Sequence, residues 1–146
     1  MKICIVSDSH DRAEPLAAAI AKAQTAGAQA VIHCGDLIGG NTLRASIKLG
    51  VPLHVVHGNN LGDAMAMHKM MAKSGGLLTY HGQDAESELD GRRIFATHFP
   101  AMAEAWPVPG IMTWFAAVIA MLPRSSGSRT FGVGKLCWST RVRFPA

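Results

Sequence analysis

The chain has 146 residues, 49% of them apolar and 16% charged, enough for one domain with a buried core and unlike a disordered chain. Its net charge of +4 is unevenly spread. Residues 1–105 carry nine Lys/Arg against ten Asp/Glu, net −1, whereas residues 106–146 carry five basic residues and no acid. No specific nucleic-acid-binding face is expected on the first part. No membrane span is expected either, because the longest apolar run, Ile111 to Leu122, is too short.

In chain order, Lys2 to Ser7 reads as a buried strand, short and β-branched. Glu14 to Ala26 reads as a helix with Leu16, Ile20 and Ala23 on one face, Pro15 in its first turn and Gly27 at its stop. Ala30 to His33 is a second strand. Asn41 is expected to cap a helix through Leu43 and Ile47 to Gly50. Leu53 to Val56 is a third strand. Asp63 is expected to cap a Met-rich helix ending at Lys73, with Met65, Met67, Met70 and Met71 as core fillers. Leu77 to Tyr80, Glu86 to Leu89 and Arg92 to Thr97 read as further strands, with Asp90-Gly91 the turn between the last two.

Alternation of strand and helix implies a parallel sheet with crossover helices, whose ligands gather at the carboxyl ends of the strands. Asp8, Asp36 and Asn59 each follow a predicted strand by one to three residues. Asp8 and His10 are two residues apart, which puts both on one side of an extended segment. Gly35 and Gly58 permit a tight backbone beside Asp36 and Asn59. His98 ends a later strand. Two carboxylates, two imidazoles and an amide oxygen form a mixed oxygen and nitrogen donor set suited to divalent first-row metals. A dinucleotide-binding reading is poorer, because no GxGxxG follows the first strand.

Other polar residues read more simply. His33 and His54 are expected to be packed within strands, His68 and His81 to lie on the surface, and His57 to serve a turn or touch substrate. Arg92-Arg93 reads as a solvated pair, and Cys34 carries no recognisable Cys-His pairing. Cys4, Cys34 and Cys137 are widely spaced and odd in number, and Met1-Lys2 leads directly into the first strand. A cytoplasmic location is the expectation.

The segments IVSDSH, VIHCGDLI, VVHGNN and GRRIFATHFP together resemble the calcineurin-like metallophosphoesterases, in particular their small bacterial and archaeal phosphodiesterase branch. The resemblance covers residues 1–105. It implies a four-layer α/β/β/α sandwich, C-terminally incomplete here, and a centre of two divalent metal ions. Mn²⁺ is the first choice, with Mg²⁺, Ni²⁺, Fe and Zn²⁺ as alternatives. Carried over by position, Asp8 and His10 would bind one metal, Asp36 would bridge, and Asn59 and His98 would bind the other. A metal-bound hydroxide would then hydrolyse a small phosphate ester, most naturally a phosphodiester. Catalytic residues beyond the metal ligands are not assignable, and the oligomeric state is open.

Two departures from the family pattern stand out. Asn60 occupies the position where many members have a His, so it is assigned to substrate binding and cannot serve as a general acid at neutral pH. Members also end in a Gly-His-x-His segment, yet no His follows His98. From residue 106 the composition changes abruptly, with all three tryptophans and no acids. If each codon is formed from the last base of one residue and the first two of the next, Ala117 to Met121 permits Gly-His-Ser-His. Lys135 to Arg143 likewise permits the family's late strand. The expectation is a partial metallophosphoesterase domain over residues 1–105 and an out-of-frame tail over 106–146, with impaired activity. The alternative is a non-catalytic interaction module on the same fold.

Overall fold

The computed structural model describes residues 1–105, so the expectations for residues 106–146 lie outside the described residues. β1 (Ile3–Val6), β2 (Ala30–Cys34), β3 (Leu53–Val56) and β4 (Leu78–Gly82) form a four-stranded parallel sheet in that spatial order. Between them run α1 (Ala13–Thr25), a 3₁₀ turn (Gly40–Leu43) leading into α2 (Arg44–Ile47), and α3 (Ala64–Lys73). Consecutive parallel neighbours joined by right-handed crossovers place their connections on one face. Leu16 and Ile20 of α1, Leu43 and Met67 accordingly join Cys4, Val31, Leu53, Val55 and Leu78 in one buried cluster.

Pleating sends the alternate side chains to the opposite face. There β5 (Asp84–Leu89) and β6 (Arg92–Thr97) pair antiparallel as a separate hairpin. Ala85, Ile94 and Ala96 meet Ile32, Cys34 and Val56 of the parallel sheet in a second cluster. Burial on both faces explains why β2 is an uninterrupted buried run. The chain is a mixed α/β fold whose described layers are helices, parallel sheet and hairpin. α4 (Pro100–Ala105) follows β6.

Local signals explain the boundaries. α1 ends in a Schellman-type closure. The Ala28 N–H donates to the Ala23 carbonyl at 2.9 Å and the Gly27 N–H to the Gln24 carbonyl at 2.9 Å, with Gly27 at φ +92°. The Asp63 carboxylate accepts from the Ala66 N–H at 2.9 Å and caps α3. Asp90 and Gly91 both have positive φ, +57° and +70°, as a two-residue hairpin turn requires.

Three expectations need correction. Asn41 does not cap a helix; it lies inside the 3₁₀ turn and accepts from the Arg44 Nε–H at 2.8 Å. Met65 is not core but 63% exposed, while Met67 is buried. His81 is half-buried rather than a surface residue. Its Nε2 lies 3.1 Å from His54 Nδ1, with the two rings nearly parallel.

Candidate metal centre

The five residues singled out as ligands meet at one end of the parallel sheet. Asp8 and His10 lie just beyond β1, Asp36 two residues past β2, Asn59 three past β3, and His98 directly after β6. The loops after β1 and β2 remain zipped together past the strands. The Asp8 N–H donates to the Gly35 carbonyl at 3.0 Å, and the His10 N–H to the Asp36 carbonyl at 2.9 Å. Asp8, His10 and Asp36 have φ of +54°, +50° and +55°. Left-handed backbone at a non-glycine residue costs on the order of 1 kcal/mol and persists where surrounding bonds over-determine it. Three such residues converge here, with ligand atoms all within 4.8 Å of one another.

Asp36 also belongs to a second convergence. The His98 Nδ1–H donates to the Cys34 carbonyl at 2.9 Å, because a carbonyl can only accept. In the neutral ring this leaves the Nε2 lone pair facing Asn59 Oδ1 at 3.0 Å and Asp36 Oδ1 at 3.5 Å. Three electron-rich atoms facing one another need a cation or a proton among them. The donor set therefore fits a divalent ion on chemical grounds.

The carboxylate of Asp36 is 5% exposed and held from one side. Asn60 donates twice to it, backbone N–H to Oδ1 at 3.0 Å and Nδ2–H to Oδ2 at 2.7 Å. Burial works to raise the Asp36 pKa. The two Asn60 bonds, with His98 and His10 nearby, outweigh it and hold the acid below the usual carboxylate value. Asn60 is thus engaged with a ligand residue, a role that its assignment to substrate had not anticipated.

Two glycines let these loops meet. A Cβ on Gly35 would stand 2.7 Å from the Gly58 nitrogen and 2.8 Å from His98 Nδ1, and one on Gly58 would fall on the Asp36 carboxylate. Behind them His33 is wholly buried. It accepts the Gly35 N–H at Nδ1, 3.3 Å, so its Nε2–H donates to Ser9 Oγ at 2.8 Å. Burial first, then the neighbouring His98, lowers its pKa to about 4. His33 is therefore a neutral strut between the loops after β1 and β2. Ser9 carried no signal as its partner, since a separation of 24 positions hides the contact. Cys34 is fully buried and its thiol is pushed well up by desolvation, which removes it as a nucleophile. His57 bonds the Tyr80 hydroxyl through Nδ1 at 2.9 Å.

The chain belongs to the calcineurin-like phosphoesterase superfamily: the model of that family's domain matches residues 1–109. Among solved structures it is similar to one described as a novel archaeal phosphodiesterase. That likeness has 25% identity and a TM-score of 0.64, and covers 71% of this chain and 64% of that one. A phosphoesterase from E. coli, Yfce, aligns at 19% identity and a TM-score of 0.48, over 69% of this chain and 59% of that one. This chain therefore spans less than two thirds of the length of either structure. No curated protein matches. Among the described residues no helix is long and apolar enough to cross a membrane.

Proposed function

We propose that the chain is a metal-dependent phosphodiesterase acting on a small phosphate ester. Asp8 and His10 hold one divalent cation, Asn59 and His98 a second, and Asp36 bridges them. The observation that carries this reading is the membership of Asp36 in both convergences, with Asp8 and His10 on one side and Asn59 and His98 on the other. The archaeal structure described as a phosphodiesterase supports the diester as substrate class. Mn²⁺ is the first choice of metal on the carboxylate and amide oxygens, while the imidazoles equally suit Fe, Ni²⁺ or Zn²⁺.

When bound, such cations polarise phosphoryl oxygens and acidify a water molecule. The chain's own residues set the geometry. The two Asn60 donors fix the plane of the Asp36 carboxylate, and the Cys34 carbonyl fixes the His98 tautomer so that Nε2 faces the site. Asn59 and Asn60 are exposed at the mouth, where an ester would approach. An amide cannot protonate a departing alkoxide at neutral pH, so esters with good leaving groups are favoured. Residues 99–146 hold no His, so within them the two further imidazoles of the family pattern have no counterpart, and the five-residue set is expected to give reduced activity. The functional domain is residues 1–105, and its location is the cytoplasm.

Calorimetric titration with Mn²⁺, paired with turnover of bis-p-nitrophenyl phosphate, tests the reading. Mn²⁺-dependent turnover that is lost in Asp36→Ala supports it. Absence of both metal uptake and turnover would instead support the alternative, a non-catalytic interaction module on the same fold.

A further inference from the structure

We infer that Tyr80 is a positioning residue for the proposed second cation: its hydroxyl holds His57, and through His57 the loop that presents Asn59. This rests on the two-ion phosphodiesterase reading and adds to it a residue that touches neither metal nor substrate.

Among the five proposed ligands Asn59 depends most on its loop. It is exposed, and Gly58 directly precedes it. Glycine gives the backbone more freedom than any other residue. Yet the Gly58 backbone runs so close to Asp36 that a Cβ there would fall on the carboxylate. The loop must therefore be located from both sides of that glycine. Downstream, Asn60 is fixed at two points, its N–H and its side-chain amide both donating to Asp36. Upstream, His57 is also fixed at two points. Its N–H donates to the Gly82 carbonyl at 2.7 Å, and its Nδ1 lies 2.9 Å from the Tyr80 hydroxyl. A hydroxyl can donate or accept, so either tautomer of the ring makes that bond. Asn59 is thereby suspended between two clamped segments, with its Oδ1 3.0 Å from His98 Nε2.

The end of β4 is shaped for this clamp. Tyr80 pairs with Val55 and Gly82 with Val56, so β4 carries one extra residue there, His81, and Gly82 has φ +87°. A bulge of this kind re-aims the end of a strand. Here the Gly82 carbonyl meets the His57 N–H. Tyr80 is itself held firmly. It is buried, its N–H donates to Met71 Sδ at 3.3 Å, and the His68 ring stands edge-on to its own with centroids 5.1 Å apart. Met71 and His68 both belong to α3. The hydroxyl is thus a fixed point, set by α3 and β4, to which the start of the loop after β3 is tied. Without it His57 keeps its backbone bond but loses its second attachment, and the Gly58 peptide is free to turn. The expected loss for the second ion is roughly tenfold in affinity, about 1.4 kcal/mol, at the upper end of what one intramolecular hydrogen bond contributes net.

Calorimetric titration of the full chain with Mn²⁺ tests this. Tyr80→Phe removes the hydroxyl and keeps the ring that packs on Met71 and His68. It is expected to weaken the second binding step roughly tenfold and leave the first, at Asp8, His10 and Asp36, within about twofold. Met71→Leu disturbs the same packing from the α3 side at nearly constant volume and leaves the hydroxyl in place. Both of its steps are expected to match the parent chain. Far-UV circular dichroism verifies that the two variants fold. An unchanged second step in Tyr80→Phe overturns the inference and leaves the two-ion reading intact. So does an equal loss in Met71→Leu, or an equal loss of both steps in Tyr80→Phe, since either marks Tyr80 as a packing residue alone. A parent chain that takes up fewer than two ions defeats the two-ion reading itself, and the inference falls with it.

Discussion

At the scale of single residues, the site is built from close approach and fixed protonation. Gly58 and Gly35 stand where any Cβ would strike backbone, the Asp36 carboxylate or the His98 ring. Gly58→Ala should therefore part the β2 and β3 loops. The expected result is at least a tenfold loss of Mn²⁺ affinity by calorimetry, with far-UV circular dichroism largely retained, because the two apolar clusters are untouched. His33 makes a separate prediction through its proton. An unfolded imidazole protonates near pH 6.5, but the buried ring does so only near pH 4. Between those values the unfolded state binds more protons, so stability is full above about pH 6.5 and falls as pH drops toward 4. The loss reaches about 3 kcal/mol once the folded ring is protonated too. His33→Asn keeps an acceptor for the Gly35 N–H and removes the titration. Urea midpoints at pH 7, 5.5 and 4 should show a shallower acid slope than in the parent chain. His54, His57 and His81, also lowered by burial, slope the same way in both proteins and cancel in the comparison.

At the scale of elements, legibility followed the locality of the signal. Strands β1, β2 and β3 announce themselves as short β-branched runs, and Asp90-Gly91 marks its hairpin because the turn needs positive φ at both positions. Asp63 was readable as a cap because the bond it makes is three residues away. Asp63→Ala should cost about 1 kcal/mol, measured as a lower urea midpoint at unchanged slope. Asn41 misled for the reverse reason. A 3₁₀ turn places it inside the element, and its side chain serves Arg44 rather than a free N–H. The same divide runs through the site. Asp8, His10, Asp36, Asn59 and His98 were all legible as polar residues at strand ends. What was not legible is the frame holding them: Asn60 on Asp36, Ser9 on His33, and the Cys34 carbonyl on His98. Those contacts join residues 24 to 64 apart, and nothing local encodes them. Met65 escaped its expected burial because a helix of 10 residues presents only one stripe to the sheet, and Met67 occupies it.

At the scale of the whole molecule, the proposed ligands come from four separate chain segments that the fold must bring together. A cation bound there closes the loops after β1, β2, β3 and β6 on one another, so its binding free energy is also folding free energy. Free Mn²⁺ at a hundred times its dissociation constant should add about 2.7 kcal/mol. For a domain of this size that is a rise of roughly 10 °C or more in the melting temperature. The rise should be reversed by a chelator and absent in Asp36→Ala, which removes the residue common to both convergences. The stoichiometry discriminates further. In the proposed two-ion arrangement the described residues offer the second ion His98, Asn59 and a share of Asp36, so it should bind more weakly than the first and give a two-step isotherm. Replacing residues 106–146 by the alternate-frame sequence containing Gly-His-Ser-His offers two further imidazoles. If that segment belongs to the site, the two steps should tighten and turnover of bis-p-nitrophenyl phosphate should rise at least tenfold. Identical isotherms for the two chains would show that the second ion never depended on those histidines, and that the sequence after residue 105 has no part in holding it.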